Sequence, residues 1–175
     1  AKLGLDTGFD SISDDNSIKN MSRLFNKLDS EGLLPKTIVF NLNPKMNSEI
    51  MTLLGCFQSS EAKGKIQYGP AWWFLDNKIG MEKHLEDLTA TGHIATFIGM
   101  LTDSRSLLSY PRHHYFRRIL CNYLGDMIEK GEMKKEDVAA EVYNYLARAI
   151  TWLLMDAFEK TKADQALLAG GVASS

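Results

Sequence analysis

Two short apolar runs, Thr37–Leu42 and Ala95–Leu101, and between them the stretch Lys65–Gly69 start roughly thirty residues apart, and each is followed by apolar residues at helical spacing. Parallel strands cannot be joined by a tight hairpin; they need a crossover of a dozen or more residues, usually a helix. The alternation therefore predicts an α/β fold with three parallel strands and helices packed outside them. Thr37–Leu42 is rich in β-branched and aromatic residues, which suit a pleated strand. Lys65–Gly69 is a strand by context more than by propensity. Phe97–Leu101 is apolar throughout, the pattern of a strand buried on both faces. The repetition is one of architecture, with no repeat in sequence.

The connecting helices follow from the same reading. Residues 1–17 form a loop, and Ser17 caps a helix through Asp29 whose Ile18, Met21, Leu24, Phe25 and Leu28 recur at helical spacing. Gly32 stops it and Pro35 bars continuation. Met46–Phe57 and Ile79–Thr91 are the next two, with a polar loop from Gln58 to Gly64 and Gly92 at the C′ position of the later helix. Pro111 suits the first turn of a fourth, with Phe116, Ile119, Leu120, Tyr123 and Leu124 on one face, ending at Gly131. Lys134–Lys160 is one long further helical pattern, and Gly170–Ser175 is a small-residue tail.

Composition narrows the class. At 175 residues the chain can bury one core, but a complete βα barrel takes ~250 residues and rarely fewer than ~200. A net charge of −2 and a pI near 6.1 provide no bulk attraction for nucleic acid or an anionic membrane. No apolar run approaches ~18 residues, so no membrane span is expected, and no secretory leader is visible. Cys56 and Cys121 lack metal-ligand spacing and read as inert thiols of a reducing, cytoplasmic compartment. The absence of an initiator methionine is consistent with a start inside a longer protein.

Chemistry is expected where a strand gives way to polar residues, since α/β enzymes place their sites at strand C-terminal ends. Beyond Leu101 the chain reads Thr102-Asp103-Ser104-Arg105-Ser106. From pattern alone Asp103 reads first as a turn or helix-cap aspartate, ahead of a carboxylate poised at a site. Arg105 stands two residues on, so an extended tip puts both on one side. Its guanidinium either pairs with an acid or grips a carboxylate with two parallel donors. After the second run comes Gly69-Pro70-Ala71-Trp72-Trp73-Phe74. Adjacent tryptophans in an extended segment cannot both enter one core, so one packs, the favoured reading from sequence alone, and the other is left to line a site. Arg117 and Arg118 read as structural, and His84 and His93 as surface or helix-end residues.

The strings Thr102-Asp103-Ser104-Arg105-Ser106, SYPRHHYFRR and GKIQYGPAWWF together closely resemble the uronate (glucuronate) isomerases of the amidohydrolase superfamily. The resemblance runs from about Gly8-Phe9-Asp10-Ser11-Ile12 to the helix near Arg148. It implies that residues 1–150 are the last three βα units of a (β/α)8 TIM-type barrel, left incomplete, with 151–175 an extension of unmatched role. It also implies interconversion of D-glucuronate with D-fructuronate, and of D-galacturonate with D-tagaturonate, through an enediol. In the family the acid of the TDSRS motif approaches a divalent metal such as Zn²⁺, beside the histidines of an H-x-H motif. By that likeness Asp103 is a metal ligand or proton carrier, Arg105 a catalytic and substrate-binding residue, and Trp72 or Trp73 a substrate contact. This chain has no H-x-H. It also departs from the family at His114, and at Leu146-Ala147 and Ile150-Thr151. Hence the partners implied are a hexuronate, the missing N-terminal barrel half and, in the complete enzyme, further copies in a homo-oligomer. The competing expectation is an inactive fragment or interaction module.

Overall fold

In the computed structural model, which describes residues 12, 16–60, 62–104, 106–162 and 165, two short strands and five α-helices form among those residues. β1 (Thr37–Val39) and β2 (Ile66–Tyr68) pair in parallel, Thr37 opposite Ile66 and Val39 opposite Tyr68. One 3-10 turn, Pro44–Met46, and α2 (Asn47–Gly55) connect them. The result is a helix-rich α/β structure with a small parallel sheet.

Both strands are shorter than expected, and a buried polar network explains the end of β1. Asn41 turns inward, its amide donating to Asn43 O at 2.6 Å and Asn47 Oδ1 at 2.7 Å, while its own Oδ1 accepts from the Asn43 N–H at 3.0 Å. A side chain that satisfies nearby backbone in this way offers an alternative to ladder pairing. Tyr68 joins the network from β2, its hydroxyl donating to Asn47 Oδ1 at 2.6 Å. Burial pushes the Tyr68 phenol far above its ordinary range, partly opposed by the bond from Asn41 and reinforced by the charge of Asp87.

The third expected strand does not form. Ile94–Thr96 is a 3-10 turn, and Phe97–Leu101 continues without ladder pairing. Gly99 adopts φ +85°, which breaks the side-to-side alternation a strand requires. The run is nonetheless covered: Met100 is buried, and Phe97 lies 5.5 Å from the His84 ring and 6.3 Å from Phe116. Its apolar pattern specified burial, and pairing needed a neighbouring strand besides.

α1 (Ser17–Ser30) begins one residue earlier than its expected cap implies: Asn16 holds the N-cap position without a side-chain bond, and Ser17 is the first helical residue. Its end is as expected. Gly32 at φ +68° lets its N–H reach Asp29 O while Leu33 N–H reaches Leu28 O, the paired bonds of a Schellman stop. α3 (Lys78–Thr91) ends differently, because Gly92 is extended, not left-handed. There glycine serves close packing: a Cβ would come within 2.8 Å of Met51 Cε in α2 and 2.9 Å of Leu88 O.

The core lies where α1, α2, α3 and β2 meet, centred on Leu54, Leu75 and Leu85. His84 belongs to it and is not a surface residue. It is 2 % exposed, stacked 4.5 Å from Tyr68, with Nε2–H donating to Gly69 O at 2.8 Å. Burial lowers its pKa to about 4, outweighing the opposing effects of the Gly69 carbonyl and Asp87. α4 (Pro111–Glu129) adds Phe116 and Ile119 to the core. Cys56 and Cys121 are unpaired and exposed.

The chain divides into two compact units, 1–125 and 126–175, with α4 crossing the boundary. The second unit is dominated by α5 (Lys135–Thr161), with Glu136 and Asp137 in its first turn and Lys160 in its last, as the helix dipole favours. Val142, Ile150, Trp152, Leu153 and Met155 of this helix are exposed. Arg105, most of the 1–17 loop, Glu61 of the 58–64 loop and the 170–175 tail lie outside the described residues. Among the described residues no helix is long and apolar enough to cross a membrane.

Candidate active site

The segment that leaves β2 is held from several directions. Gly69 continues the ladder, its N–H donating to Val39 O at 2.8 Å, and any Cβ there would lie 2.9 Å from the Phe40 ring. With glycine in place, Phe40 folds over the strand end and meets Trp72 edge to face at 5.8 Å. Ala71 is buried, Trp72 is extended, and Trp73 enters a 3-10 turn, Trp73–Leu75, at φ +48°. Leu75 then plugs the core at 1 % exposure. Asn77 caps α3 by accepting from Gly80 N–H at 2.9 Å. Gly80 packs so closely that a Cβ would fall 2.2 Å from Leu75 O.

Facing it is the polar tip after Leu101. Asp103 is exposed and takes φ +42°, a conformation that aspartate tolerates better than most side chains. The Trp72 indole Nε1–H donates to Asp103 Oδ2 at 3.0 Å, across 31 positions of sequence. Just beyond, Ser106 caps the 3-10 turn Leu107–Ser109 by accepting from Leu108 N–H at 3.3 Å. Arg112, in the first turn of α4, donates from Nη1 to Thr102 O at 2.7 Å and pairs through Nη2 with Asp76.

Of the residues singled out from sequence, Asp103 and Trp72 are brought into direct contact. Trp73 stands beside them, its ring edge-on to Trp72 at 6.1 Å and 46 % exposed. Neither tryptophan enters the core; Leu75 does so instead. Sequence reasoning missed Phe40, Asp76 and Arg112. A cue for Arg112 existed: a cation in a helix's first turn opposes the helix dipole, so it calls for a specific partner.

A divalent metal needs about four ligands, typically imidazole, thiolate and carboxylate. Among the described residues no three His, Cys, Asp or Glu side chains converge on a point. Asp103 is a single carboxylate with one oxygen engaged by Trp72, so these residues do not build a metal centre by themselves.

Comparison with known proteins agrees with the motifs. The chain is 56% identical over 135 residues to the uronate isomerase of Clostridium acetobutylicum, covering 77% of this chain and 29% of that protein. It is 56% identical over 131 residues to the uronate isomerase of Phocaeicola vulgatus, covering 75% and 28% respectively. The crystal structure of uronate isomerase from Thermotoga maritima superposes with a TM-score of 0.68 at 32% identity, covering 80% of this chain and 30% of that one. Glucuronate isomerase from Caulobacter crescentus does so with a TM-score of 0.63 at 27% identity, covering 93% and 31%. The chain thus spans less than a third of the length of the curated relatives it matches. A sequence model described as glucuronate isomerase matches residues 1–153, and with these identities it follows that the chain belongs to the glucuronate isomerase family.

Proposed function

We propose that this chain supplies one side of the active site of a uronate isomerase, catalysing aldose–ketose isomerisation of D-glucuronate and D-galacturonate. The observation that carries the reading is the Trp72–Asp103 bond, which joins the AWWF and TDSRS motifs at one exposed lip. Two of the three non-glycine residues with positive φ among the described residues, Trp73 and Asp103, stand at that lip. Backbone strain of this kind gathers at functional sites.

The isomerisation moves a proton between C2 and C1 of the sugar acid through an enediol(ate). It needs a group to carry the proton and donors to hold the developing oxyanion. An exposed carboxylate restrained through one oxygen retains lone pairs for a proton, a sugar hydroxyl or a cation. Asp103 is assigned that part, either as proton carrier or as one ligand of a divalent metal, Zn²⁺ by likeness to the family, whose other ligands lie outside this chain. Arg105 is assigned to the substrate's carboxylate or enediolate oxygens, and the indole faces of Trp72 and Trp73 to its C–H face. In this reading the chain forms part of a barrel, completed by an N-terminal half in a cytoplasmic homo-oligomer.

The test is a chimera in which residues 1–153 replace the matching segment of the Clostridium acetobutylicum enzyme. It is expected to isomerise D-glucuronate, with Asp103→Asn and Arg105→Met each losing about a hundredfold or more in kcat. A folded chimera with no turnover would remove the function. Undiminished turnover in both variants would remove the site assignment.

A further inference from the structure

We infer that Arg112 is a positioning residue that sets the relation between the two walls of the proposed site. The inference rests on that reading of the site but on different atoms. One guanidinium reaches both walls: Nη1 bonds the carbonyl of Thr102, the residue before Asp103, and Nη2 pairs with Asp76, the residue after the Trp73–Leu75 turn. The Asp76 backbone N–H in turn donates to Trp73 O at 3.0 Å. Arg112 therefore ties the backbone that presents the carboxylate to the turn that presents the tryptophans.

Two features make this more than a surface ion pair. First, Arg112 and Asp76 are only 33% and 21% exposed at their side chains, so solvent screens them less than it does the lysine pairs on α1 and α3. Second, the planar guanidinium offers donors at a fixed angle, and its two bonds run to different segments. A lysine at the same place carries the charge on a single point and cannot span both partners in that geometry. Phe97–Leu101 makes no ladder pairing among the described residues, and the hydrogen bond they give the Thr102 carbonyl comes from Arg112. The Trp72–Asp103 bond is the second tether of this tip and is expected to weaken when the first is lost.

The experiment has two readouts. In the 175-residue chain, the Trp72 indole N–H resonance is assigned by its loss in Trp72→Phe, and its position without the carboxylate is read from Asp103→Asn. Arg112→Met is expected to move it at least about half of the way to that position, and Arg112→Lys is expected not to restore it. Asp76→Asn cuts one arm only and is expected to move it in the same direction, which keeps the test decisive should Arg112→Met fail to fold. In the chimera, Arg112→Met is expected to lower kcat about a hundredfold, the scale on which a misplacement near 1 Å acts, with KM within about threefold. An unmoved indole resonance in folded Arg112→Met and Asp76→Asn chains, or full recovery with lysine, would overturn the inference. Loss of turnover in Asp103→Asn but not in Arg112→Met would overturn it too, while leaving the uronate isomerase reading intact. A chimera inactive from the outset would count against that reading alone, and the resonance would still decide the role of Arg112.

Discussion

The two segments that meet at the Trp72–Asp103 bond are held in place by different means. Gly69–Leu75 is clamped: the sheet continues into Gly69, His84 binds its carbonyl from below, Leu75 fills the core, and α3 closes on the turn through Gly80. Among the described residues, the tip at Thr102–Asp103 is tethered by two polar contacts, one from Trp72 and one from Arg112. The contrast teaches how a site can have one rigid wall and one adjustable wall. Apolar packing at interior density leaves a segment no room, whereas hydrogen bonds at an exposed edge restrain it with energies of about 1 kcal/mol each.

The comparison breaks if variants of the clamped wall are well tolerated. Gly80→Ala drives a methyl into Leu75 O and is expected to cost about 3 kcal/mol, the upper part of the range for overpacking, read as a lower urea midpoint with unchanged slope. Next in size is the pH dependence that His84 imposes. Its folded pKa is about 4 and its unfolded value 6.5. Between these limits the unfolded chain binds a proton that the folded chain refuses, so stability falls as pH is lowered through this window. About 2 kcal/mol is expected to be lost from pH 7 to pH 4.5. Urea titrations at both pH values should show the loss in the parent chain and its absence in His84→Gln.

Smaller again, Tyr68→Phe removes the hydroxyl that donates to Asn47 Oδ1 at 2.6 Å and accepts from Asn41 at 3.1 Å, two buried hydrogen bonds whose partners keep the Asn41–Asn47 bond. About 1.5 kcal/mol is expected, by the same titration. The smallest effect belongs to the tethered wall. Asp103→Asn is expected to leave unfolding within about 0.5 kcal/mol of the parent chain, as exposed positions usually do. A collapse in stability at Asp103 matching that at Gly80 would erase the distinction between the walls.

The same contrast marks how much could be read in advance. The helices were legible from apolar spacing, because a helix satisfies its own backbone and needs only a face to bury. The stop at Gly32 was legible for a similar local reason, a positive φ that glycine permits. Strand length was less so. Asn41 ended β1 by bonding to Asn43 and Asn47, and nothing in the run Thr37–Leu42 announces which of its polar residues turns inward. His84 carried no partner at ligand spacing, yet it is buried because the Gly69 carbonyl, 15 positions earlier, lies within reach. Of the candidate site, Asp103 and Trp72 were named from motifs, but their direct bond and the role of Arg112 were not. Both are contacts between segments, set by how α3 and α4 pack.

From sequence alone came the α/β class, the helix positions, the isomerase family and the residues that carry its motifs, since these depend on local propensity and on the order of side chains along the chain. Tertiary structure alone decided that Phe97–Leu101 is buried without pairing, that Leu75 and not a tryptophan enters the core, and that one arginine spans both walls. Those outcomes depend on which distant atoms come within hydrogen-bonding or van der Waals distance, and that information exists only once the chain has folded.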